Sequence, residues 1–114
     1  MVFNKRETSD GKVVIIECPE RVDLNVAQEL RTLMKESVAQ NQFMIVADME
    51  KTEFIDSSGL GALVSRIAVT RSNGGDIRLA CVKEPIVKLL EITHLDKIFT
   101  CFESVQSAVE SCDR

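Results

Sequence analysis

The chain changes from strand-like to helix-like periodicity near its middle, and this change limits the folds that it can adopt. Residues 43–47 are a run of apolar and β-branched side chains, long enough for a buried strand and too short for a helix. From Leu60 to Ala68, apolar side chains recur at intervals of three and four residues, which lines one face of a helix. We therefore predict a central strand followed by an amphipathic helix.

The rest of the chain repeats this alternation. Further strands are predicted at residues 2–8, 12–18, 77–82 and 98–102, and further helices at 26–41, 84–93 and 104–109. Asp10-Gly11 predicts a hairpin turn, and Gly74 or Gly75 can end the second helix in a left-handed conformation. Strands joined through helices imply parallel pairing, and the hairpin supplies an antiparallel pair. We expect an α/β domain with a mixed, mostly parallel sheet of four to five strands and about four helices.

A polar segment, Asp56-Ser57-Ser58-Gly59, lies between the central strand and its helix. Asp and Ser can cap a helix, because a short side-chain oxygen accepts a hydrogen bond from an N–H group left unpaired at the helix start. Capping alone is one interpretation. A carboxylate and two hydroxyls exceed the needs of one cap, and Gly59 and Gly61 each cost about 1 kcal/mol relative to Ala. We infer that another backbone comes close and that the segment has a binding function.

Residues 54–61, with the sequence FIDSSGLG, resemble the D-S-[SA]-G-L-G signature of STAS domains, specifically the bacterial anti-sigma-factor antagonists. Residues 92–99 resemble the late segment of that family, and Val22-Asp23 resembles its early strand-to-helix turn. The resemblance covers residues 13–109 of a single domain spanning 1–114. One departure is Glu20, which stands where the family usually has glycine.

The resemblance implies a binding module switched by phosphorylation. In the family, the first serine after the aspartate is phosphorylated by a partner kinase that also serves as the anti-sigma factor, and that residue here is Ser57. Unmodified protein would bind this kinase and free a sigma factor, phosphate on Ser57 would abolish binding, and a serine phosphatase would reset the switch. No cofactor is implied for this chain, because ATP would belong to the kinase.

The partner-binding surface is expected at the carboxyl ends of the parallel strands, where the loops of such sheets form the usual binding edge. The residues expected on it are Asp23, Asn25, Glu53, Asp56, Ser57, Ser58, Gly59 and Gly61. Asp23 and Asn25 either share this surface or only cap the first helix. Together with Glu50, the acidic members are expected to complement basic groups on a partner and to steer encounter.

Two alternatives stay open. A serine-dependent hydrolase would need His94 as its base, and the motif lacks the G-x-S-x-G pattern, so we expect that the chain is not an enzyme. STAS-like modules also occur in transporter tails, sensory assemblies and lipid-transport complexes, and some are proposed to bind nucleotides. A phosphate-cradling G-x-x-x-x-G-K-[ST] motif is absent from the sequence.

The composition of the chain limits the classes of partner and the cellular compartment that we expect. A formal net charge of −4 argues against direct nucleic-acid binding, which would need a basic surface. No apolar run approaches the roughly eighteen residues of a membrane span, and no signal-peptide core follows Met1, so we expect a cytoplasmic protein without membrane contact. The four cysteines lack metal-ligand spacing. We expect Cys18 and Cys81 to pack as small apolar groups and Cys112 to be exposed.

Overall fold

The computed structural model describes residues 2–113, so the two ends of the predicted domain, Met1 and Arg114, lie outside the described residues. Within these residues the main sheet has five strands, β1 (Asn4–Glu7), β2 (Val13–Glu17), β4 (Met44–Asp48), β6 (Asp76–Ala80) and β7 (Cys101–Phe102), numbered along the chain. Their spatial order is β1-β2-β4-β6-β7. Only the β1–β2 pair is antiparallel in this sheet. The predicted mixed, mostly parallel α/β sheet with 43–47 in its central strand is confirmed.

A second, small sheet joins the two loops that lead into the first two helices. Its strands are β3 (Arg21–Val22) and β5 (Phe54–Ile55), which pair in parallel with Val22 opposite Ile55. Sequence analysis missed this sheet, because a two-residue strand is too short to show an alternating pattern. The small sheet holds the loop after β2 against the loop after β4.

Within residues 2–113, five α-helices pack on the main sheet. They are α1 (Leu24–Ala39), α2 (Ser57–Val64), α3 (Ile67–Ser72), α4 (Glu84–Ile92) and α5 (Val105–Glu110), with 3-10 helices at Leu95–Lys97 and Ser111–Asp113. If α2 and α3 are taken as one interrupted helix, this matches the predicted four. None of the described helices has both the length and the apolar content that a membrane crossing requires.

The helix after the motif is interrupted where the sequence pattern predicted continuity. It stops at Val64 and resumes at Ile67. The Ser65 hydroxyl donates to the carbonyl oxygen of Ala62 at 2.7 Å, and the Ser65 N–H donates to the same oxygen at 3.2 Å. Serine can compete in this way with the regular helical hydrogen bonds, and this explains the break.

The core lies on both faces of the sheet. Val14 and Ile16 of β2 point into the larger cluster, which contains the apolar faces of α1, α2 and α4. Val13 and Ile15 point into the smaller cluster under α5, around Ala108. All four β2 side chains are buried, as expected for a strand covered on both faces.

The predicted boundaries of two other segments need correction. The first helix ends at Ala39 rather than near Asn41, which adopts a left-handed conformation with φ of 61°. The last strand is limited to Cys101–Phe102, because residues 98–100 form a turn and loop after a 3-10 helix and bury Phe99 in the core. Of the two glycines after α3, Gly74 is the left-handed one, with φ of 80°.

Cys18, Cys81 and Cys101 are free thiols. Cys18 is 1% exposed, and burial raises its pKa to about 12, which confirms its role as a small apolar core group. Cys81 is half-buried just beyond the end of β6, where it packs against the smaller cluster. The prediction that Cys112 is exposed was wrong, because this side chain is half-buried against the same cluster.

Candidate functional site

Two strand-to-helix turns lie side by side at one end of the molecule. Each strand of the small sheet is followed by an aspartate and then by a helix, with Asp23 before α1 and Asp56 before α2. Because the two strands are parallel and in register, the first residues of the helices, Leu24 and Ser57, are neighbours. Both helix N-termini, each carrying partial positive charge, therefore meet at one surface.

The carboxylate of Asp56 joins the two helix starts. Its Oδ1 accepts a hydrogen bond from the N–H of Gly59 at 3.0 Å, which caps α2. Its Oδ2 accepts one from the N–H of Leu24 at 3.1 Å, which satisfies the first residue of α1. Asp56 thus performs the capping role that sequence analysis considered, and it does so for two helices.

The early turn has a simpler cap. The Oδ1 of Asp23 accepts from the N–H of Asn25 at 3.0 Å, and its Oδ2 lies 3.5 Å from Nε of Arg21. This makes Asp23, rather than Asn25, the cap of α1. The side chain of Asn25 is exposed on the same turn. Both residues lie on the turn next to the one that carries the motif.

Ser57 is the first residue of α2 and is exposed, while Ser58 is half-buried. Within residues 2–113 the Ser57 hydroxyl makes no hydrogen bond, and the backbone N–H groups of Ser57 and Ser58 have no acceptor. The hydroxyl is therefore accessible to an incoming enzyme. The free N–H groups beside it can stabilise negative charge at this position.

The two motif glycines have different surroundings. A Cβ on Gly59 would lie 2.3 Å from the carbonyl oxygen of Val22 and 2.6 Å from Cγ1 of Ile55, so the close backbone inferred from the sequence is β3. A Cβ on Gly61 would meet only Nη2 of Arg31, at 3.1 Å. A close backbone approach therefore explains why residue 59 is glycine, but it does not explain why residue 61 is.

Two exposed apolar side chains lie on the same two strand-to-helix segments as the motif, and sequence analysis did not identify them. Leu24 is 73% exposed and Phe54 is 40% exposed. The guanidinium carbon of Arg21 lies 4.2 Å from the centroid of the Phe54 ring, a distance at which a cation–π interaction favours this arrangement. A groove of about 300 Å³ continues from Phe54 to Pro85 and Leu89 of α4. Leu24 could have been noticed in the sequence, because it lies outside the buried stripe of α1.

The acidic residues near the motif differ in their contacts. The Oε1 of Glu53 lies 3.4 Å from Nζ of Lys83, in an ion pair whose side chains are 63% and 40% exposed. Such an exposed pair contributes little to stability, and it leaves Glu53 available to a partner. Glu50 is exposed and precedes Lys51 in the turn after β4.

The hydrogen bonds of His94 do not connect it to the motif serines in the described part of the chain. His94 follows α4 with φ of 62° and donates its backbone N–H to the carbonyl oxygen of Glu91. In the described part of the chain it makes no hydrogen bond to Ser57 or Ser58. The described residues 2–113 contain no cluster of three or more His, Cys, Asp or Glu side chains that could hold a metal ion.

Asp56→Ala is expected to lower the free energy of unfolding by about 2 kcal/mol, because two backbone N–H groups lose their acceptor. Asp23→Ala removes one such acceptor and is expected to cost about 1 kcal/mol. Urea denaturation followed by circular dichroism measures both. Equal losses in the free energy of unfolding for the two variants would contradict the inference that Asp56 stabilises both helix starts.

Comparison with known proteins gives the family. The model of the STAS domain family matches residues 4–108. The chain is 28% identical over 98 residues to the anti-sigma F factor antagonist of Paenibacillus polymyxa, covering 85% of this chain and 84% of that protein. A putative anti-sigma factor antagonist of Thermotoga maritima is 31% identical over 72 residues, which cover 63% of this chain and 61% of that protein.

Solved structures agree with the family match, because they have the same fold as this chain. The crystal structure of a putative anti-sigma factor antagonist from Thermotoga maritima has a TM-score of 0.86 at 25% identity, covering 98% of this chain and 95% of that one. The phosphorylated form of SpoIIAA from Bacillus has the same fold, with a TM-score of 0.76 at 18% identity over 96% and 97% of the two chains. Because the family match spans nearly the whole chain, the resemblance seen in the sequence is confirmed, and the chain belongs to the STAS domain family.

Proposed function

We propose that this protein is an anti-sigma-factor antagonist whose binding is switched by phosphorylation of Ser57. The unmodified protein binds an anti-sigma factor, and a sigma factor is released. The partner is also a serine kinase, which transfers a phosphoryl group from ATP to the Ser57 hydroxyl, and a separate serine phosphatase removes it. The observation that carries the proposal is the exposed Ser57 hydroxyl at the start of α2.

The surroundings of Ser57 suit reversible docking. Leu24 at the start of α1 and Phe54 in β5 provide exposed apolar contact area at the same end of the molecule as Ser57. The Asp56 carboxylate holds both helix starts in place, so the surface is formed before the partner arrives. The names of the relatives from Paenibacillus and Thermotoga agree with this role, and SpoIIAA is known in a phosphorylated form.

Phosphate on Ser57 would change the interface more than the fold. It adds about −1.5 to −2 charges at a helix N-terminus, where the dipole and free N–H groups favour an anion by about 0.3–1 kcal/mol. The same charge lies beside the Asp56 carboxylate, and a docked partner would bury it. Bulk and the cost of desolvation then expel the partner.

The experiment that tests the proposal is recovery of the bound partner from cell extract. Affinity-tagged protein is used as bait, the captured proteins are identified by mass spectrometry, and the modified residue is mapped after incubation with ATP. We expect an anti-sigma factor with a kinase domain, together with phosphate on Ser57. Capture of a sensory or transporter component instead would support the other STAS role, and phosphate on Ser58 alone would move the switch by one residue.

Glu53→Lys is expected to slow association with the partner about tenfold at low salt and to reduce its salt dependence, because Glu53 steers a basic surface toward the site. Stopped-flow association at several salt concentrations measures this. The matched control is Glu7→Lys, which makes the same charge change on β1 at the opposite end of the sheet. Equal rates for the two variants would show that Glu53 has no steering role.

A further inference from the structure

A basic cleft lies between α1 and the junction of α2 with α3, separate from the surface around Ser57. Its volume is about 290 Å³, near the lower end of the range for small-molecule sites. The lining residues are Gln28, Arg31, Thr32, Lys35, Ser65 and Arg66. Three of these six carry positive charge, and none is acidic.

The three cations of the cleft have no carboxylate partner among the described side chains. By contrast, Arg71 and Arg78 both form ion pairs with Asp76. Arg31 and Arg66 are half-buried, and neither has a carboxylate counter-ion among the described side chains. Nη1 of Arg66 donates a long hydrogen bond, of 3.5 Å, to the carbonyl oxygen of Ser65, which carries no net charge. In a chain with a net charge of −4, such a concentration of unpaired positive charge favours an anionic ligand.

Gly61 contributes to the shape of the cleft. The Arg31 side chain crosses α2 at this glycine, with Nη2 3.1 Å from the position that a Cβ would occupy. The absence of a side chain at residue 61 therefore leaves room for the guanidinium between the two helices. This gives the second glycine of the motif a role that backbone packing does not provide.

We propose that the cleft binds a small anion carrying phosphoryl groups, of about the size of pyrophosphate. Guanidinium groups match phosphate oxygens through paired N–H donors, and Arg31 and Arg66 provide two of them. Lys35, the Thr32 hydroxyl and the Gln28 amide add further donors, while the Ser65 hydroxyl proton is engaged by Ala62. No aromatic side chain lines the cleft, so a nucleoside attached to the phosphates is not expected to add affinity.

Isothermal titration with pyrophosphate, at about 0.15 M salt, tests the proposal. We expect saturable binding with a Kd below about 1 mM. The double variant R31Q/R66Q is expected to bind at least about tenfold more weakly. The control K88Q/K97Q removes the same charge from α4 and the following 3-10 helix, and it should retain affinity within about twofold; circular dichroism confirms that both variants fold.

Two further probes identify the source of the phosphate. Equal affinity for ATP and pyrophosphate would support recognition of the phosphoryl groups alone, and tighter binding of ATP would support a nucleotide as their source. The absence of saturable binding to either probe would overturn the proposal. So would an equal loss of affinity in the two double variants, or tighter binding of a hexaglutamate peptide, which would make the cleft a docking surface for acidic protein segments.

Discussion

Phosphorylation of Ser57 is expected to weaken binding of the anti-sigma partner by at least about a hundredfold, or about 2.7 kcal/mol. The physical reason is local. The Ser57 side chain has no hydrogen-bond partner within residues 2–113, so the unmodified hydroxyl can be covered by a partner at small cost. A phosphate there brings about two negative charges next to Asp56, on a surface that also exposes the apolar side chains of Leu24 and Phe54.

Titration of the partner with unmodified and phosphorylated protein measures this loss. The phosphorylated protein is expected to keep its fold, with a free energy of unfolding within about 1 kcal/mol of the unmodified protein, because phosphate at a helix start is tolerated. This separates loss of the interface from loss of structure.

Two serine variants locate the switch. Ser57→Ala should bind the partner and remain bound when ATP is added, whereas Ser58→Ala should still be released, because it retains the exposed hydroxyl. If Ser57→Ala were released by ATP as readily as the wild type, Ser57 could not be the switch. Release that depended on Ser58 would place the modification on the half-buried neighbour.

The fold could be predicted from the sequence because its main elements bury apolar side chains with clear periodicities. The runs at 12–18 and 43–47 are covered on both faces in the structure, and the stripes of α1 and α4 point into the larger cluster. The position of the motif followed from topology, since the carboxyl end of a central parallel strand leads to the binding edge. Exposure of Ser57 agrees with this position.

The architecture of the site could not be predicted in the same way, because it depends on contacts between distant segments. The hydrogen bond from Leu24 to Asp56 joins residues 32 positions apart. No local pattern indicates that one carboxylate serves two helices. The strands that align these turns have two residues each, and the break after Val64 depends on the hydroxyl of Ser65.

Gly59→Ala is expected to destabilise the protein by about 3 kcal/mol, although alanine favours helices over glycine. The added methyl group would lie 2.3 Å from the Val22 carbonyl oxygen and 2.6 Å from Cγ1 of Ile55. The first contact is with backbone and cannot be relieved by a change of rotamer. The start of α2 would have to move away from β3, which would also disturb the hydrogen bond between Leu24 and Asp56.

Gly61→Ala is the matched control, because it makes the same substitution two residues later in the same helix. Its methyl group would meet only the end of the flexible Arg31 side chain, at 3.1 Å. This variant should therefore be neutral or more stable by up to about 1 kcal/mol. Urea unfolding of the two variants gives the comparison. Equal stabilities would mean that β3 can move away from α2 at little cost, and the close contact with the Val22 carbonyl would then not be what requires glycine at residue 59.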